Sequence, residues 1–286
     1  MSILGGLLTW GRRRTARAGL GSLSVGATVG RMNEVLSHRL RVAEVIVETD
    51  DAHTVVFEPT PDQAPYFRFL PGQFLTLRIP SELCGSVARC YSLCNSPFSG
   101  ELPRVTVKRT PDGYASNWVH DNVRAGSEVE VLEPAGLFTP ADLGADLLLC
   151  AAGSGITPVM SIIAAALAEG DGRIALLYAN RDERSVIFAT TLRKLAAEYP
   201  ERLTVVHWLE SVQGLPSEPA LRGLTAPYTD REAFLCGPKP FMAAVRTALR
   251  DLGMAKDRVH LERFASLGGD PFEQATLREK DTTDHQ

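Results

Sequence analysis

The sequence predicts two tandem domains: an antiparallel six-stranded β-barrel, then an α/β domain built on a doubly wound parallel sheet. Three observations predict it. Residues 41–132 hold six short β-rich segments punctuated by Gly and Pro. From residue 146 onward, continuous apolar runs alternate with stretches of helical periodicity. The chain has 286 residues, enough for two domains that bury their cores without disulfides or metals.

The expected barrel strands are 41–49, 54–58, 73–79, 87–93, 104–108 and 128–132. Thr106 between Val105 and Val107, and Glu130 between Val129 and Val131, show the period-two alternation of a strand with one buried face. Pro71-Gly72, Pro97, Pro111, Gly126 and Pro134 punctuate the gaps. In the second half, 147–152 is continuously apolar, as a strand covered on both faces requires. Val159, Ile162, Ile163, Ala166 and Leu167 follow helical spacing, and Gly170 stops that helix. A strand at 174–178, a helix at 186–198 and strands at 203–209 and 233–236 follow. A last helix carries Phe241, Val245, Leu249 and Leu252, and 259–261 is a candidate fifth strand. The expected boundaries are 1–38 for a poorly ordered extension, 39–140 for the barrel, 141–266 for the α/β domain and 267–286 for a polar tail.

Composition narrows the class. A net charge of -4 lacks the basic bias of a nucleic-acid binder. No run of 18 apolar residues exists, so no stable membrane insertion is expected. Residues 1–10 are apolar and precede Arg12, Arg13, Arg14 and Arg17, the reverse of a secretory signal. Five cysteines, an odd number in a long chain, read as reduced thiols of a cytoplasmic protein.

Four motifs carry chemistry. Gly153-Ser154-Gly155-Ile156-Thr157-Pro158 follows a buried strand and opens a helix, the context in which a glycine turn cradles a pyrophosphate. Glycines admit the phosphate close to the backbone, and the helix N-terminus offers free N–H groups. Thr157 is placed to cap this helix and Pro158 to fill its first turn. The common dinucleotide fingerprint has a third Gly where Pro158 stands. Cys236-Gly237-Pro238 ends a second buried strand, so both turns point to one crevice at the strand carboxyl ends. Arg89-Cys90-Tyr91-Ser92 offers a forked cation for phosphate, a ring for stacking and a hydroxyl for a ring nitrogen. Gly113-Tyr114-Ala115-Ser116-Asn117-Trp118 offers a second anion site at a helix start. Singly, each also has a plain structural reading: an ordinary turn, a buried cysteine, a polar strand face.

Together and in this order, the motifs resemble the ferredoxin–NADP reductase superfamily. Arg89–Ser92 matches its Arg-x-Tyr-Ser flavin motif, and Gly113–Ser116 its second flavin-phosphate motif. Gly153–Pro158 matches the pyridine-nucleotide turn, Cys236-Gly237-Pro238 the late Cys-Gly-Pro, and Pro71-Gly72-Gln73-Phe74 the family's barrel turn. The resemblance runs from about residue 40 to 266. Further stretches, 85–97, 106–118, 177–188 and 207–216, look like the reductase components of steroid oxygenases. Those carry FAD, an NADH site and a C-terminal plant-type [2Fe–2S] domain. That cluster needs a C-x4-C-x2-C run and a distant fourth Cys. No Cys follows Cys236, and Cys84, Cys90 and Cys94 are spaced otherwise. The chain as given is therefore expected to hold no cluster and no other metal, either as a natural two-domain reductase or with a third domain removed.

The resemblance implies the following roles. Arg89 neutralises the FAD pyrophosphate, Tyr91 stacks on the isoalloxazine, and Ser92 contacts the flavin near N5. Cys90, Thr106, Val107, Lys108, Tyr114 and Ala115 also belong to the flavin site, while Gly113 and Ser116 hold its pyrophosphate. Gly153, Ser154, Gly155 and Thr157 hold the dinucleotide, with Asn180 and Arg181 at the adenine ribose. Cys236, Gly237 and Pro238 lie beside the nicotinamide, Glu262 is near, and Phe264 covers the other flavin face. Ser92, Cys236 and Glu262 are the expected catalytic residues. Arg181 suits a 2′-phosphate and Asp182 a 2′-hydroxyl, and the resemblance favours NADH over NADPH. The expected acceptor is a ferredoxin or a Rieske-type oxygenase component. A free-flavin reductase and a non-catalytic nucleotide-binding regulator are the rival readings.

Overall fold

The computed structural model describes residues 37–264 and 270–272. The first sheet is built from β1 (Ser37–Thr49), β2 (Ala52–Glu58), β3 (Phe74–Ser81), β4 (Gly85–Ser92), β5 (Arg104–Lys108) and β6 (Glu128–Leu132); burial does not alternate strictly, and β5 buries Thr106 together with Val105 and Val107. The order is β4-β3-β6-β1-β2-β5, with every pairing antiparallel. A bridge between Leu93 and Val105 joins the two edge strands and closes the barrel. Leu40, Phe57, Leu75, Leu77, Val107 and Val131 fill its interior. Helix α1 (Tyr114–Asn122) turns Ala115 and Val119 into the same core. β1 starts at Ser37, so residues 37 and 38 belong to the barrel rather than to the expected extension. Residues 1–36 lie outside the described part.

The second sheet is parallel, in the order β11-β10-β7-β8-β9. Its strands are β7 (Leu147–Ala152), β8 (Ile174–Asn180), β9 (Leu203–Leu209), β10 (Glu232–Cys236) and β11 (Val259–Glu262). All residues of β7 and β8 are buried, as their unbroken apolar sequences require. Helices α2 (Ile156–Glu169), α3 (Ala189–Glu198), the short α4 (Glu210–Gln213), α5 (Glu218–Thr225) and α6 (Lys239–Asp251) connect the strands. The chain winds outward from β7 to β9, then returns to build β10 and β11 on the other side. The switch point between β7 and β10 is therefore where a crevice opens.

Three elements differ from expectation, the short α4 being one that no sequence pattern suggests. The helix expected from residue 186 starts at Ala189. Val186, Ile187 and Phe188 instead plug the core, with Phe188 at φ 61°, a left-handed conformation that breaks the helix. Helix α5 was not expected, although Ser217 caps it by accepting from Ala220 N at 3.3 Å.

The two halves are welded together. Ala52 and Cys94 of the barrel share a core with β7 and α2. The buried Ser161 hydroxyl of α2 donates to the Asn95 carbonyl at 2.7 Å. Gly72, at φ 94°, lies so near Phe138 that a Cβ there would meet its carbonyl oxygen at 1.9 Å. This shared interface fixes the clefts between barrel and sheet.

The expected polar tail contains a docked anchor. Phe272 is fully buried with Ala88 and Leu132 of the barrel, beneath the Arg78 guanidinium. Asp270 accepts from the Ser86 hydroxyl at 2.5 Å and from the Phe272 N–H at 2.9 Å. The rest of 267–286 lies outside the described residues. Phe272→Ala is expected to lower stability by about 2–3 kcal/mol, the value of burying such a ring. Urea denaturation checks this, and an unchanged midpoint contradicts it.

Candidate functional site

β4 presents Arg89, Cys90, Tyr91 and Ser92 to a cleft of about 450 Å³. Thr106 and Lys108 of β5 and the turn into α1 (Gly113, Tyr114, Ala115, Ser116) form further walls. Ser154 and Thr157 reach it from the α/β side, and Phe264 closes one flank, about half exposed. Several polar groups here have few protein partners or none. The Arg89 guanidinium donates to its neighbour's carbonyl, from Ala88 at 2.8 Å, and pairs with no carboxylate among the described residues. Ser92 is 3% exposed, and its hydroxyl has no hydrogen-bond partner among the described residues. No side chain caps the α1 N-terminus, so the N–H groups of its first turn stay open.

Ser116 is already engaged. Its Oγ donates to the Gly113 carbonyl at 3.0 Å and accepts from Thr110 N at 3.1 Å. It shapes the 110–113 turn, where a Cβ on Gly113 would sit 2.8 Å from that same oxygen. Thr106 likewise hydrogen-bonds inward, to Thr54 at 2.7 Å. Burial pushes the Tyr91 phenol up to about 12 and raises the Cys90 thiol, so both stay neutral at physiological pH.

A second cleft, of about 740 Å³, opens at the switch point. Gly153, Ser154 and Pro238 line its turn edge, and Asn180, Arg181 and Asp51 its far edge. Trp208, Leu215 and Pro216 form an apolar wall that the sequence reasoning did not assign. Asn180 is 7% exposed, yet neither polar atom of its carboxamide has a partner among the described residues. An orphaned buried amide beside a cleft is costly unless something fills the cleft. Lys108, Thr110 and Ser154 line both clefts, so the two spaces meet there.

Five expected site residues line neither cleft. Val107 is fully buried, and its carbonyl pairs with His120 Nε2 at 2.8 Å. Gly155, Cys236, Gly237 and Glu262 line neither cleft. A Cβ on Gly155 would meet the Cys236 carbonyl oxygen at 2.1 Å, so the two turns are packed backbone to backbone. Cys236 has no exposed surface. Burial first, and the Glu262 charge second, push its thiol well above the usual range. Burial also raises the Glu262 carboxyl.

Two sequence expectations change. Thr157 does not cap α2: its hydroxyl donates to the Ser154 carbonyl at 3.0 Å, and it faces the first cleft. The N-cap is Gly155, without a side-chain bond. Asp182 is taken up by a capping box, with Oδ1 accepting from Ser185 N at 2.9 Å, and it does not line the second cleft. Among the described residues no group of three or more His, Cys, Asp or Glu is arranged to hold a metal. No described helix is long and apolar enough to cross a membrane.

Residues 149–247 match the family of oxidoreductase NAD-binding domains. The ferredoxin reductase component of 3-ketosteroid-9-alpha-monooxygenase from Mycobacterium tuberculosis (strain CDC 1551 / Oshkosh) is 59% identical over 239 residues, covering 82% of this chain and 67% of that protein. Its counterpart from Rhodococcus rhodochrous is 58% identical, over 85% of this chain and 69% of that protein. The solved structure of phthalate dioxygenase reductase superposes with a TM-score of 0.65 at 27% identity, covering 79% of this chain and 67% of that one. With two clefts meeting at Lys108, Thr110 and Ser154, and with these relatives, the chain belongs to the oxygenase reductase components of the ferredoxin reductase family, which are flavin-dependent NAD(P)H oxidoreductases.

Proposed function

We propose that this chain takes electrons from NADH through bound FAD and delivers them singly to a ferredoxin or a Rieske-type oxygenase component. The observation that carries this reading is the confluence of the two clefts, which brings donor and acceptor sites into one space. The relatives' names as ferredoxin reductase components support the acceptor class. We assign the barrel, residues 37–140, to FAD and residues 141–266 to the pyridine nucleotide.

FAD, when bound, supplies the two-electron acceptor and one-electron donor chemistry that no side chain provides. The protein's part is binding and alignment, since hydride transfer needs the reacting atoms about 3–3.5 Å apart. Arg89 and the open α1 N–H groups meet the pyrophosphate, a site that unpaired donors suit. Tyr91 gives a neutral ring for stacking, and Ser92 a free hydroxyl for the flavin edge. Phe264 shields the opposite flank from water. Gly153, Ser154 and the unpartnered Asn180 amide receive the dinucleotide. Cys236 and Glu262, register partners at the ends of β10 and β11, line neither cleft and act through packing at the strand ends. A thiol held neutral by burial neither attacks nor accepts a proton, so Cys236 serves as the packed floor of the nicotinamide subsite.

The absorbance spectrum of the purified protein tests the reading. Tightly held FAD, present as isolated or taken up on addition, is expected. A colourless protein that takes up none contradicts it. Cys236→Ala is expected to retain FAD and slow flavin reduction by NADH at least about tenfold, roughly 1.4 kcal/mol of barrier. An unchanged stopped-flow rate removes Cys236 from the site.

A further inference from the structure

We infer that Asp51, a barrel residue, sets the pyridine-nucleotide selectivity of the α/β domain. The inference rests on the proposed reading of the second cleft as the dinucleotide site. In such sheets the ribose 2′ position is read just past the second strand, by a carboxylate for a 2′-hydroxyl or by an Arg for a 2′-phosphate. Here that segment is Asn180-Arg181-Asp182. Its own carboxylate, Asp182, accepts from Ser185 N through Oδ1 and faces an adjoining groove beside Asp51 and Arg181 rather than this cleft.

Asp51 stands in its place. It lies in the turn between β1 and β2 and lines the same cleft edge as Asn180 and Arg181. Its position is fixed from several sides. Oδ1 accepts from the Thr49 hydroxyl at 2.9 Å, and its carbonyl accepts from Arg109 N at 2.7 Å. Oδ2 accepts from Arg181 Nη2 at 2.9 Å and lies 3.6 Å from Lys108 Nζ. The Arg181 fork, 65% exposed, is thus drawn back onto a carboxylate supplied across the domain junction. The cleft's other carboxylate is Glu210, and its other cation, Arg109, is committed to Asp121 and Asn117.

The consequence is charge discrimination. A 2′-phosphate brings roughly two negative charges. It must either break the Asp51–Arg181 pair or lie against the Asp51 carboxylate. A 2′-hydroxyl donates to that carboxylate and leaves the pair in place. Asp51 thereby favours NADH.

Asp51→Asn tests this, since the amide keeps the shape and an acceptor for Thr49 while removing the charge. The primary readout is binding of 2′-phospho-AMP and of AMP to the FAD-loaded protein by calorimetry. The affinity ratio of 2′-phospho-AMP to AMP is expected to rise at least about tenfold, close to 1.4 kcal/mol. The ratio of kcat/KM for NADPH over NADH should rise in step, with an artificial one-electron acceptor. Adding Arg181→Ala should erase both gains. Unchanged ratios in a folded, FAD-replete Asp51→Asn protein overturn the inference alone. A wild-type protein that binds neither nucleotide and reacts with neither coenzyme overturns the underlying site reading as well.

Discussion

Gly155→Ala is expected to cut NADH-dependent flavin reduction by about a hundredfold while leaving FAD in place, because misplacement by about 1 Å is enough for such a loss. The added Cβ would stand 2.1 Å from the Cys236 carbonyl oxygen, 2.4 Å from its carbon and 2.7 Å from Gly237 N. All three atoms are backbone, so no side chain can swing aside. The turn after β7 and the turn after β10 must separate, and these turns support the cleft edge formed by Gly153, Ser154 and Pro238. Such overpacking also costs about 1–3 kcal/mol of stability. The barrel residues of the flavin cleft lie outside this contact, which is why FAD is retained. Stopped-flow reduction of the FAD-loaded variant, with a thermal melt alongside, measures both effects. A normal rate contradicts the close-packed switch point as the basis of nucleotide positioning.

Tyr91→Ala is expected to weaken FAD binding by roughly ten- to a hundredfold, since stacking on an aromatic face is worth about 1–3 kcal/mol. Tyr91 packs on the barrel core and lines the flavin cleft. Its phenol stays protonated, pushed up to about 12 by burial, so it offers a neutral ring for stacking. Tyr91→Phe should therefore keep FAD. Equilibrium dialysis of the flavin separates the two variants. An Ala variant that purifies replete with FAD rules out stacking as the anchor.

Local sequence was enough for whatever depends on local rules. The barrel strands follow from short β-rich segments between Gly and Pro breaks, β7 and β8 from their apolar runs, and the glycine turns from their position after a strand, whereas the expected outward face at Thr106 is buried. What depends on long-range docking was not legible. Val186-Ile187-Phe188 fits a helical period, but tertiary burial takes all three out of the helix. Asp182 occupies the position expected of a ribose ligand, yet the Ser185 capping box claims it. Asp51 meets Arg181 across 130 residues, through a packing of barrel on sheet that no local pattern encodes. Phe272 sits in a polar stretch whose period says nothing, and only the barrel face around Ala88 and Leu132 gives it a place. Helix α5 was the one element with an overlooked local signal, Ser217 before Glu218-Pro219.

In the proposed function, one continuous space brings NADH to bound FAD. Anaerobic titration of the FAD-loaded protein with NADH, followed by absorbance, tests it most directly. The oxidised-flavin band is expected to bleach in proportion to added NADH, ending at one nucleotide per flavin. A band that persists through excess NADH and excess NADPH, in protein shown to hold FAD, would contradict it.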